Sequence, residues 1–315
     1  MATVGLFEQI AQSIHPQRYK EQMYAVIAAY LDESFDPKPS GIFAVGGLVG
    51  RGIATFELDR KWEALLRRSD IDIEYYKASE CELGTGQFRK FVKQDRKPTP
   101  EERVRLQAIS HEFISLIANE YVVGQGIGVI QSDFYDVIKE HYARSILGDD
   151  PFQLAYDLSI VQCAWMMKHI ETIQLQEARP FQKAQRDYIS FLRDDHEKYA
   201  ALAQARYLNL KNKNPEAAKY MATHSIGDDK KLCILQAADA TIYEIRRALH
   251  IAHRQRKEPL RGQFHIFKNS SRMAIIRTAS KEHLLNTVNL HKPGEPFDFR
   301  DIMETDFNEN VRFEV

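Results

Sequence analysis

Nine consecutive uncharged residues, Met23–Leu31 (MYAVIAAYL), run straight into Asp32-Glu33-Ser34. A strand apolar on both faces has to be covered on both faces, as in sheets with helices packed on either side. Acids at the end of such a strand lie at the rim of the sheet, where the ligand crevices of open sheets form. The run therefore calls for a covered sheet with an acidic rim.

The remaining pattern is consistent with that frame. Asp36-Pro37 and Pro39-Ser40-Gly41 mark a turn, and Ile42–Val49 reads as a second strand forming a hairpin with the first. Its Gly46-Gly47 fits a bulge or a close backbone approach. Phe56–Arg68 carries apolar residues at helical spacing, and Ile71, Ile73 and Tyr75 then alternate like a half-buried third strand. Thr99-Pro100-Glu101-Glu102 opens a helix through Glu120, with a capping hydroxyl, a first-turn proline and acids at the positive dipole end. Tyr121–Gln131 predicts a fourth strand. A helix follows from Ser132-Asp133 through Leu147, and another from Asp149-Asp150-Pro151 to about Gln176.

Tyr188–Leu192 predicts a short fifth strand ending at Asp194-Asp195. Asp228-Asp229 cap a long helix through about Gln255, with Leu232, Leu235, Ile242, Ile245 and Leu249 on its apolar face. Gln263–Phe267 and Met273–Thr278 are β-like. Strands followed by strand–helix alternation indicate an α/β protein, a mixed sheet of about five strands flanked by helices. Gly 15 and Pro 11 in 315 residues favour long helices over a many-turned all-β fold.

Charge and cysteine content exclude several classes. Lys and Arg number 43 against 44 Asp and Glu, so bulk charge cannot hold the chain to a polyanion and any such contact needs a local patch. Cys81, Cys163 and Cys233 are far apart with no CxxC, which argues against a disulfide framework or thiolate zinc site and for a reducing compartment. Met1–Ser13 has no basic-then-apolar signal pattern. The charge-free stretches Pro39–Gly50 and Tyr121–Ser132 are too short and glycine-rich to span a bilayer. A soluble cytoplasmic protein is expected, with no membrane partner.

Asp239 is the most informative single position. Four residues after Leu235 and three before Ile242, it shares a helix face with core side chains. A buried carboxylate costs several kcal/mol unless a cation, donors or a cavity serve it; the alternative is an arginine partner or escape to solvent. Gln236 can reach the same space. Asp32 and Glu33 end the first strand, Asp133 follows the fourth, and Asp194 and Asp195 end the fifth. Acids at several strand ends plus one on a helix face can converge on a divalent ion, and Mg²⁺ uses oxygen ligands, commonly one or two carboxylates with waters and substrate phosphates. A pair of such ions stabilises both the attacking and the leaving oxygen in phosphodiester cleavage.

Rival motifs fail. His111-Glu112 starts like a helical zinc signature, but position 115 is Ser. Gly124-Gln125-Gly126-Ile127-Gly128 lacks dinucleotide-binding spacing, and neither GxxxxGK[ST] nor GxSxG occurs. Cations do cluster, at Arg246, Arg247, Arg254, Arg256, Lys257 and Arg261, and again at Arg89, Lys90, Lys93, Arg96 and Lys97. The first group either complements a helix C-terminus or grips a phosphate backbone.

Tyr30-Leu31-Asp32-Glu33-Ser34, Phe43–Val49, Lys77-Ala78-Ser79-Glu80, Phe191–Tyr199 and Leu235-Gln236-Ala237-Ala238-Asp239, in that order and spacing, resemble the bacterial domain-of-unknown-function 3800 family. The likeness covers roughly residues 24 to 255. It implies a ribonuclease-H-like fold and a Mg²⁺ or Mn²⁺ site, with Asp32, Asp194 and Asp239 as ligands and Glu33 as a further ligand or water-positioning base. Phe35 stands where the family usually has a glycine after Asp-Glu-Ser. The resulting expectation is an N-terminal helical segment (1–22), a ribonuclease-H-like domain (23–256) and a C-terminal extension (257–315). The expected activity is metal-dependent phosphodiester hydrolysis on DNA or RNA. Lys77, Gln236, Arg246 and Arg247 would contact substrate, with Glu80, Asp133 and Asp195 as further candidates. Two other expectations stand beside it, a non-catalytic nucleic-acid- or protein-binding module and a small-molecule phosphohydrolase.

Overall fold

β1 (Ile27–Phe35) is the strand that the apolar run requires, and in the computed structural model it is paired on both sides. It runs antiparallel to β2 (Ile42–Arg51), with Ile27 opposite Arg51 and Phe35 opposite Phe43. On its other side it runs parallel to β4 (Ile189–Asp194), with Leu31 opposite Arg193. β3 (Val122–Ile130) lies antiparallel to β2, β5 (Met221–Gly227) parallel to β4, and β6 (Ile275–Ala279) parallel to β3. The mixed six-stranded sheet has the order β5-β4-β1-β2-β3-β6. The structure describes residues 27–38, 40–93, 97–177, 187–196, 198–253, 262–269 and 275–290. The expected helical segment 1–22 lies outside them, as do Arg96, Arg254, Arg256, Lys257 and Arg261.

Helices cover both faces. α1 (Gly52–Leu66), α2 (Ala78–Leu83) and α3 (Pro100–Asn119) stand between β2 and β3. α4 (Gln131–Val137), α5 (His141–Leu147) and α6 (Pro151–Glu177) separate β3 from β4. α7 (Ala200–Lys213) and α8 (Pro215–Ala218) precede β5, and α9 (Cys233–His253) follows it. α10 (Gly262–Asn269) and α11 (Lys281–Leu290) flank β6. Because side chains alternate along a strand, Ala29 and Leu31 of β1 pack with α6 and α7, whereas Ala28 and Tyr30 pack with α1, α3 and α9. The start of α3 is built as its sequence requires: the Thr99 hydroxyl accepts the Glu102 N–H, and the Glu102 carboxylate accepts the Thr99 N–H.

α9 lies unusually close to the sheet because the strands beneath it lack side chains. A Cβ on Gly47, whose φ is +150°, would stand 2.9 Å from Ala238 Cβ, and one on Gly126 would stand 2.9 Å from Ile242 Cδ1. These gaps let α9 press against β1, β2 and β3 and bury Asp239 beside them. The close approach expected at Gly46-Gly47 is thus used to seat a helix.

The structure departs from the sequence pattern in several places. Ile71–Tyr76 is no strand. Its backbone folds back onto the end of α1, with Ile71 N–H and Asp72 N–H on Arg68 O (2.9 and 2.7 Å) and Ile73 N–H on Leu66 O (2.9 Å). Asp72 has φ +44°, which breaks any extended path. Ile71 and Ile73 are buried, but among helices. The single helix expected through Leu147 is two, and Gln263–Phe267 is helical within α10. Met273–Thr278 overlaps β6 at 275–278, so this C-terminal segment supplies an edge strand of the same sheet. No described helix is long and apolar enough to cross a membrane.

Candidate acidic site

β1 does not end at Asp32 and Glu33 as expected but runs on, paired with β2, to Phe35; the register that sets Leu31 beside Arg193 nonetheless brings Asp32 level with Asp194, the last residue of the adjacent parallel β4. Each falls two residues past a side chain packed under α9, Tyr30 on β1 and Leu192 on β4, so both acids emerge on the α9 face. Asp239 comes down onto them from α9, and the β5–α9 connection adds Asp229. The Asp32 and Asp239 carboxyls are within hydrogen-bonding reach of each other. Asp239 Oδ2 also accepts the Ala78 N–H at the start of α2 (3.0 Å). Asp194 Oδ1 accepts the Asp229 N–H (3.1 Å), and Asp32 Oδ1 accepts the Glu33 N–H (2.8 Å). Lys77 Nζ lies 3.4 Å from Asp229 Oδ2.

Four carboxyls thus face one ammonium group, and their titration reflects it. Burial, then repulsion from Glu33, Asp239 and Asp194, drives the Asp32 carboxyl well above the usual carboxylate range against the opposing charge of Lys77. Burial also raises Asp239, against Lys77, the Ala78 N–H and the Asp32 contact. Asp194 is pushed up to about 6 by burial and by Asp229. For Lys77 burial alone would favour the neutral amine, but Asp239, Asp32, Asp229 and Asp194 outweigh it and hold the side chain charged.

Gln236 braces this arrangement. Its Oε1 accepts Trp62 Nε1–H (3.1 Å) and Tyr76 N–H (2.9 Å), and its Nε2 donates to Asp229 O (2.8 Å). It ties α1, the Lys77 segment and the Asp229 loop to α9, with its amide spent inside the protein.

The other candidates lie as follows. Glu33 turns to the opposite face, where its Oε2 accepts from Arg193 Nη2 at 2.6 Å and both side chains are essentially inaccessible. Arg193 itself stacks over Phe152 of α6. Arg246 reaches the rim, its Nε donating to Ser34 Oγ (2.9 Å) two residues past Asp32. Arg247 Nη1 donates to both oxygens of Glu82 (2.7 and 3.0 Å). Glu80 closes the turn after α2, accepting from Tyr75 Oη (3.3 Å) and the Gln87 N–H (3.2 Å). Asp133 accepts the Lys281 N–H (2.9 Å) at the start of α11, and the Asp195 side chain is exposed. Asp32, Asp194, Asp239 and Lys77 therefore come together, and Glu33, Glu80, Asp133 and Asp195 do not join them. Asp229 is the member that sequence reasoning took only for a helix cap.

Among the described residues no three His, Cys, Asp or Glu side chains form a group that could enclose a metal ion. The donor chemistry nonetheless suits a hard divalent ion: oxygen-only ligands, an excess of buried negative charge, and a contacting pair, Asp32 and Asp239. Mg²⁺ asks for no more than one or two carboxylates, waters supplying the rest. No family model matches this chain, and neither a curated protein nor a solved structure matches it.

Proposed function

We propose that this chain is a Mg²⁺- or Mn²⁺-dependent phosphodiesterase acting on nucleic acid, on a sheet of the ribonuclease-H-like type implied by the resemblance to the domain-of-unknown-function 3800 family. The single observation that carries the reading is the convergence of Asp32, Asp194 and Asp239, distant in sequence, around Lys77. The antiparallel β1–β2–β3 meander, with β4 and β5 parallel to β1, supports the fold assignment.

Asp32 and Asp239 would hold the ion and Asp194 would complete its surroundings. When bound, a divalent ion offsets the repulsion among these carboxylates and the charge that develops on the phosphate. Lys77 presents an ammonium group to a non-bridging phosphate oxygen, and Arg246 at the rim offers a second cation to the strand. Asp194, at the edge of that site, would accept the proton of the attacking water as its oxygen bonds to phosphorus and the bond to the leaving sugar oxygen breaks, that oxygen taking a proton from solvent. Glu33 takes no part in this step, since its side chain lies on the opposite face of the sheet, with Oε2 on Arg193 and Oε1 3.7 Å from His196 Nδ1.

The test is cleavage of a panel of single- and double-stranded DNA and RNA with Mn²⁺ by the wild type, Asp32→Asn and Asp239→Asn. Loss of metal-dependent cleavage in both variants supports the assignment. Cleavage retained in both rejects it, and salt-sensitive binding without cleavage by the wild type favours the non-catalytic module.

A further inference from the structure

A second site opens farther along α9. Arg247 lies eight residues beyond Asp239, roughly 12 Å along the helix axis. There a cleft of about 460 Å³ separates the end of α2 from α3 and α9. That volume is in the range of small-molecule sites, roughly 300–1,000 Å³. Lys97, Arg103 and Arg247 line it against one acid, Glu82, so its walls carry an excess of positive charge. Leu106 supplies an apolar side chain and Ser110 a hydroxyl.

The cationic wall is held in place before any ligand arrives. Both Glu82 oxygens grip Arg247 Nη1, and Glu82 Oε2 also accepts from Tyr243 Oη. The guanidinium is therefore fixed in one orientation, while its buried Nε has no hydrogen-bond partner. Arg103 is exposed on α3 and makes no ion pair among the described residues. Ser110 Oγ accepts from Tyr76 Oη (3.2 Å), which leaves its own proton to donate. A fixed guanidinium, a second arginine, a lysine and a hydroxyl beside the apolar Leu106 suit a phosphate group attached to a partly apolar body.

We propose that this cleft binds a nucleotide phosphate, with Arg247, Arg103 and Lys97 on the phosphate and Leu106 beside the base. The site shares no residue with the acidic cluster, so the inference does not rest on the phosphodiesterase reading. The same chemistry is offered by a free mononucleotide and by one nucleotide of a strand. α2 joins the two sites, since its first N–H holds Asp239 and its Glu82 holds Arg247.

The experiment is calorimetric titration of the full chain, without divalent metal, using AMP, inorganic phosphate, adenosine and a single-stranded octanucleotide. The wild type, Arg103→Glu and Asp32→Asn are compared. Arg103 is exposed, so its replacement leaves the fold intact, which an unchanged melting temperature verifies. AMP binding that weakens at least ten-fold in Arg103→Glu and is unchanged in Asp32→Asn supports the proposal with a free nucleotide as ligand. Octanucleotide binding with the same pattern, and none by AMP, supports it with a strand as the source. Binding of no probe, binding of adenosine as tightly as AMP, or equal affinity in wild type and Arg103→Glu overturns it. A failure of the acidic site appears separately, as loss of metal-dependent cleavage with this binding intact.

Discussion

Replacing Asp194 by Asn tests whether the acidic site is held together under electrostatic strain. The folded carboxyl titrates at about 6 against an ordinary 3.8. That difference of about two units is worth at most about 3 kcal/mol above pH 6, and residual solvent screening reduces it to about 2 kcal/mol. Asparagine keeps an oxygen to accept the Asp229 N–H and removes the charge. The variant is therefore expected to be more stable than the wild type at pH 7.5 in chelator, by about 2 kcal/mol. At roughly 2–4 °C per kcal/mol this is a rise in melting temperature of roughly 4–8 °C.

The pH dependence follows from the direction of the shift. The folded carboxyl binds its proton more tightly than the unfolded one, so its cost is absent below about pH 3.8, grows as pH rises through 6, and is constant beyond. The gain from Asn should be full at pH 7.5 and shrink towards zero near pH 4. Differential scanning fluorimetry across pH 4–8 reads both. A variant that melts below the wild type at pH 7.5, or a difference independent of pH, would refute the reasoning.

Two further perturbations separate scaffold from site. Glu33→Gln leaves the inaccessible Arg193 guanidinium without a counter-charge, which should cost about 3–5 kcal/mol in chemical denaturation while any Mn²⁺-induced rise in melting temperature persists; loss of that rise with unchanged stability would make Glu33 part of the metal site. Gly47→Ala puts a methyl 2.1 Å from Tyr30 O and 2.9 Å from Ala238 Cβ, so α9 must lift, and a loss of roughly 1–3 kcal/mol is expected from overpacking; a neutral effect would show that the close packing is not needed.

Much of this was legible in the sequence, for identifiable reasons. The uncharged run before Asp32 pointed to a buried strand, and the spacing of Leu235, Asp239 and Ile242 put a carboxylate on the apolar face of a helix, leaving open whether it was buried, paired with an arginine or turned to solvent; it is buried. Convergence of Asp32, Asp194 and Asp239 followed only once strand order was known, because adjacency of β1 and β4 spans more than 150 residues of chain. Asp229 escaped notice with β5, an edge strand whose residues are largely polar or exposed and carry no apolar run. Ile71–Tyr76 misled because alternation reports burial on one side, and here the buried side faces helices. Glu33 looked equivalent to Asp32 until the two-residue period of the strand sent it to the other face, where Arg193, read only as part of a strand end, was waiting.

Anomalous diffraction from crystals soaked in Mn²⁺ tests the acidic site most directly. The account predicts a peak in contact with the carboxylates of Asp32 and Asp239, absent from crystals of Asp239→Asn. Mn²⁺ bound elsewhere, with those two carboxyls sharing only a proton, would contradict it.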